Sequence, residues 1–78
     1  MKLVDYLTVT PDAPTGVRIW YAMKKKGINE ETLARLALTN QTSVSIWIRG
    51  KCEPRMGNAL LLAKALDVSL DWLLGGKE

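Results

Sequence analysis

The 78 residues make one domain at the small end of what folds without covalent staples, and 47% hydrophobic content suffices for a compact core. One cysteine, Cys52, and no histidine leave no internal disulfide, metal site or histidine-based catalytic site to expect. The net charge is only +3, but it is unevenly spread. Between Arg18 and Lys64 there are nine basic and three acidic residues, an excess of +6, whereas the flanks carry two basic and five acidic, or −3. A cationic body suits phosphate attraction, although an ordinary solvated surface gives the same count. The longest apolar run near the C-terminus, Ala59 to Ala63, is far too short to cross a bilayer. The N-terminus lacks the apolar stretch of a signal peptide. The expectation is a cytoplasmic protein with no membrane or metal partner and no cofactor.

Residues 1–14 come first, and Leu3, Val4, Tyr6, Leu7 and Val9 are too apolar for a freely solvated arm. Pro11 and Pro14 force a turn or an extended link, so the segment is expected to pack on the body or on a partner subunit. Thr15 to Lys26 reads as the first helix, with Gly16, Ile19, Ala22 and Met23 along one side. Lys24, Lys25 and Lys26 fill its last turn, where cations favour the helix dipole, and Gly27 can end it. Lys24 has two readings: dipole and solubility, or contact with a phosphate backbone.

Asn29 is an N-cap candidate for a second helix, Glu30 to Ala37, whose apolar stripe is Leu33, Ala34 and Ala37. Leu38, Thr39 and Asn40 break the pattern, and Asn40 can cap a third helix, Gln41 to Ile48. There only Val44 and Trp47 repeat as buried positions. Gln41, Thr42, Ser43 and Ser45 are short, uncharged and hydrogen-bonding, as base edges in a major groove require. Gln41 can pair with adenine or bind a phosphate instead. Ile46 either meets a thymine methyl or belongs to the edge of the core, and an exposed Ile48 would add to an apolar patch. Arg49, Gly50 and Lys51 close the helix, Gly50 allowing a left-handed exit and the two cations standing where a phosphate backbone would pass. Cys52 in the following loop reads as incidental and reduced.

Ala59, Leu62, Ala63 and Leu66 form the stripe of a fourth helix. Ser69 can cap a fifth, Leu70 to Leu74, stopped by Gly75 and Gly76. Leu70, Leu73 and Leu74 are expected to close the core. Trp72 cannot point the same way as all of them and should stay partly exposed.

The stretch as a whole resembles the helix-turn-helix of the phage repressor and Cro-like family. The matching residues are Leu33-Ala34, Gln41, Val44-Ser45, Trp47, Arg49-Gly50-Lys51 and Pro54, then Asn58 through Leu66 and Val68 through Gly75. They cover roughly residues 16 to 76. The resemblance implies an all-α, five-helix lambda-repressor-like domain with its helix-turn-helix at helices 2 and 3. It would span residues 15–76, after an N-terminal segment (1–14) and before a short tail (77–78).

By the same resemblance the expected role is sequence-specific binding of double-stranded DNA, as a repressor or Cro-like regulator and not as an enzyme. A homodimer would sit on a palindromic operator. Gln41, Thr42, Ser43, Ser45 and Ile46 are the expected base contacts. Asn40, Arg49, Lys51, Asn58 and Lys24 are the expected phosphate contacts, Asn58 matching a family asparagine at the start of the fourth helix. Trp72 and Leu73 are expected at the dimer interface. Four positions depart from the family pattern. Glu30 stands where glutamine is common; it can brace Gln41 but would repel a phosphate. Leu38 takes the usual place of a turn glycine, Ile46 a commonly polar place and Ile48 a commonly acidic one. The other reading is a protein-interaction module on the same fold, an antitoxin or adaptor using an apolar patch around Ile46, Ile48 or Trp72.

Overall fold

In the computed structural model, described for residues 13–74, the chain forms five helices: α1 (Thr15–Lys26), α2 (Glu30–Leu36), α3 (Gln41–Ile48), α4 (Met56–Leu66) and α5 (Leu70–Leu73). The five-helix architecture is the one expected, with small shifts at the ends. Helices α2 and α5 each stop one residue earlier than predicted, and Asn58 is the third residue of α4. None of the described helices is long and apolar enough to cross a membrane. The expectations for residues 1–12 and for Gly75 and Gly76 lie outside the described residues.

The starts of α2, α3 and α5 follow from short polar side chains. Asn29 Oδ1 accepts a hydrogen bond from Thr32 N at 2.8 Å, Asn40 Oδ1 from Ser43 N at 2.8 Å, and Ser69 Oγ from Trp72 N at 3.0 Å. Each satisfies an amide that the helix itself leaves unpaired, for about 1 kcal/mol. The ends of the first four helices share one device. After α2, Leu38 adopts φ 58°, its N–H returns to Arg35 O at 3.2 Å and that of Thr39 to Ala34 O at 2.8 Å. This paired closure recurs at Gly27, Gly50 and Asp67, which end α1, α3 and α4. Two of the four closures therefore use residues other than glycine.

Burial then fixes how the helices pack. Ile19, Leu33, Val44, Leu62 and Leu73 have no exposed surface, and Ala22, Met23, Ala34, Ala37, Trp47, Ala63 and Leu66 complete the cluster. Burying a leucine or isoleucine of this kind stabilises the fold by about 1.5–3 kcal/mol. Helix α3 packs on α1 and α2, α4 lies beneath both of those, and α5 closes the end against α4 and α1.

Two residues of α1 determine its fit. At Gly16 a Cβ would sit 2.4 Å from Trp47 O and 2.6 Å from Ile48 O, so the start of α1 rests directly on the backbone at the end of α3. Arg18, counted with the cationic surface in the sequence, is instead buried. Its Nε donates to Ala13 O at 3.2 Å and its Nη1 to Trp72 O at 2.9 Å, while the guanidinium lies 5.3 Å from the centre of the Trp72 ring. Arg18 thereby ties the entry of the chain to α5.

Candidate nucleic-acid interface

Helix α3 has two unlike sides. Val44 and Trp47 are buried and hold it against α1 and α2. At about 100° per residue, Gln41, Thr42, Ser45, Ile46 and Arg49 fall within one arc of roughly 140° on the other side. With Glu30 they line a shallow concavity of about 360 Å³. Gln41, Thr42 and Arg49 are exposed and Ser45 is half-buried. Ile46 keeps 37% of its surface exposed, so of its two readings the structure favours the outward one. Ile48 does the opposite: it is half-buried and packed against the core, so it does not join the apolar patch that an exposed isoleucine would have extended. Ser43 is half-buried and lies outside the arc.

A second concavity, about 330 Å³, adjoins the first through Glu30 and Gln41, and its lining includes Lys24 and Trp20. The structure thus brings exposed Lys24 to the N-terminal end of α3. Trp20, 37% exposed, is a member of this surface that sequence reasoning did not single out. Its signal was available: Trp20 and Lys24 are four apart and share a face of α1. Glu30 lines both concavities, so a carboxylate sits beside Gln41 in place of the neutral amide common in the family.

The remaining candidates surround α3. Asn40 is exposed, with its side-chain oxygen engaged in the cap of α3 and its amide N–H groups still able to donate. Arg49 and Lys51 are exposed at the exit of the helix. Asn58 is half-buried in the first turn of α4. Lys51 and Asn58 lie outside both concavities. Arg55, exposed immediately before α4, is a further cation that sequence reasoning passed over. Glu53, in the same loop, accepts from Thr15 Oγ1 at 3.4 Å and links this edge to α1.

The two residues expected at a dimer contact fare differently. Leu73 is entirely inside the protomer, so it serves the core and cannot present a surface to a second copy. Trp72 is half-buried, with Arg18 over its ring and Tyr21 at 6.3 Å between ring centres.

Comparison with known proteins agrees with this geometry. The sequence model of the helix-turn-helix family matches residues 21–73. The chain is 36% identical over 69 residues to the HTH-type transcriptional regulator DicA of Escherichia coli (strain K12), covering 88% of this chain and 51% of DicA. It is 38% identical over 61 residues to repressor protein C2 of Salmonella phage P22, covering 78% of this chain and 28% of that protein. The chain therefore spans about half the length of the first of these relatives and less of the second. The crystal structure of the P22 c2 repressor in complex with synthetic operator 9T superposes with a TM-score of 0.77 at 36% identity, covering 82% of this chain and 97% of that one. The chain belongs to the helix-turn-helix family, in its phage repressor and Cro-like branch.

Proposed function

We propose that the protein is a transcriptional regulator that binds duplex DNA sequence-specifically, with α3 lying in the major groove of an operator. The observation that carries this reading is the exposed arc Gln41, Thr42, Ser45, Ile46 and Arg49 on a helix held rigid from behind by Val44 and Trp47. Short amides and hydroxyls match the donors and acceptors of base edges, and Ile46 matches a thymine methyl. Arg49, Lys51, Lys24, Asn40 and Asn58 are the phosphate contacts, which position the protein without reading sequence. The role is binding, with no catalytic step, and its place is the cytoplasm.

A homodimer binds a nearly palindromic site, its two α3 helices in successive major grooves roughly 34 Å apart, as phage repressors of this kind dock. The two-fold contact is formed by Met56 and Leu60 of α4. Their exposures of 62% and 44%, one turn apart on the same face, support that choice over Trp72, which is engaged by Arg18 and Tyr21. The competing reading, a protein-interaction module, loses ground at α3 because Ile48 packs inward and leaves Ile46 as the outward isoleucine there.

A gel shift on random genomic fragments, run beside a pull-down from cell lysate, tests the choice. The DNA reading expects retarded duplex fragments whose affinity falls steeply with added salt. A protein captured stoichiometrically, with no retarded DNA at low salt, would reverse it.

A further inference from the structure

The surface most distant in character from α3 is a groove of about 390 Å³ between α1 and the turn from α4 to α5. Tyr21, Leu66, Val68 and Trp72 make its lining mainly apolar. Lys25, Lys26 and Asp67 also line it, giving a formal charge of 2 − 1 = +1. An apolar groove of this kind on a small domain calls for something to cover it.

The chain itself supplies an occupant. The first described residue, Ala13, is held by Arg18, which also holds the Trp72 carbonyl, so Ala13 lies near Trp72, a residue of the groove wall. Residues 1–12 include Leu3, Val4, Tyr6, Leu7 and Val9, and their side chains carry Lys2 against Asp5 and Asp12, a charge of 1 − 2 = −1. Twelve residues reach roughly 40 Å when extended, ample for folding back over the groove. We infer that the groove formed by Tyr21, Leu66, Val68 and Trp72 is the seat of this chain's own N-terminal segment, with Tyr6 and Leu7 as its apolar anchors. The segment then belongs to the folding unit and is not an arm that reaches for DNA. This inference stands apart from the DNA-binding reading, because the groove shares no residue with the concavities around α3.

The test uses the full chain in a mixture of isotope-labelled and unlabelled protein, so that contacts within a chain are separated from contacts between chains. The expected result is a set of intrachain nuclear Overhauser effects from Tyr6 and Leu7 to Val68 and the Trp72 indole. Leu7→Asp, or the milder Tyr6→Ala if the first fails to fold, is expected to shift the Val68 and Trp72 resonances. It should also lower Tm by several degrees and leave DNA affinity unchanged. Contacts seen only between chains would give the groove to a second copy and overturn the inference. Unmoved Val68 and Trp72 signals in the folded variants would overturn it equally.

Discussion

Leu38 holds a backbone conformation that most side chains avoid, φ 58°, and with 78% of its surface exposed its side chain does little to offset the strain of the helix closure it makes. The left-handed region costs a residue with a Cβ about 1–2 kcal/mol. Glycine removes that strain but adds about 0.5–1 kcal/mol of lost chain entropy on folding. The balance favours glycine slightly, so Leu38→Gly is expected to raise Tm by a few degrees in thermal unfolding. A lower Tm would mean that the leucine side chain contributes contacts that its exposure hides. Arg49 poses a different question at the same scale. Standing exposed at the edge of the α3 arc, it is expected to neutralise one phosphate. Arg49→Ala should lower affinity alike for all duplexes and flatten log K against log salt by about one unit of slope. An unchanged slope would take Arg49 off the list of phosphate contacts.

Among the elements, α3 matters most and its placement depends on α1. The carbonyls of Trp47 and Ile48 approach so near to Gly16 that a methyl group there has nowhere to go, and backbone atoms cannot rotate aside. Gly16→Ala is accordingly expected to destabilise the fold by about 1–3 kcal/mol, visible as a lower denaturation midpoint. A midpoint equal to wild type would show that α1 and α3 slide past each other more easily than this packing implies.

The helices themselves were legible in the sequence because their signals are local. Asn29, Asn40 and Ser69 announce starts, Gly27 and Gly50 announce exits, and Val44 with Trp47 gives the buried side of α3. The outward arc followed from that buried side. The closure at Asp67 was not singled out, although aspartate is among the few residues other than glycine that tolerate a positive φ. Leu38 drew notice only through its resemblance to a glycine position. Arg18 and Ile48 misled for a related reason: a charge or an apolar residue in a sequence does not disclose which way it faces. Tertiary contacts with Trp72 and the core decided both.

For the whole molecule, the proposed DNA-binding reading separates affinity from specificity along the surface. On that reading the exposed cations Lys24, Arg49 and Lys51 would supply the electrostatic part, and Glu30, beside Gln41, would work against it. Pairing two such domains lets two short readings add up to one long site. If Met56 and Leu60 form the two-fold contact, Leu60→Asp should leave binding to a single half-site unchanged while weakening the complete operator by about tenfold, or roughly 1.4 kcal/mol. Equal losses on both would place the effect in the monomer and remove α4 from the interface.

Selection of bound duplexes from a random oligonucleotide pool, with the wild-type chain and Gln41→Ala in parallel, bears most directly on α3 as a reader of base sequence. The wild type should enrich a nearly palindromic motif with half-sites about 10 base pairs apart, centre to centre. Gln41→Ala should keep that motif but lose preference at one position in each half, a discrimination of about 1–3 kcal/mol. A pool that yields no motif, or the same motif at full strength from both proteins, would contradict it.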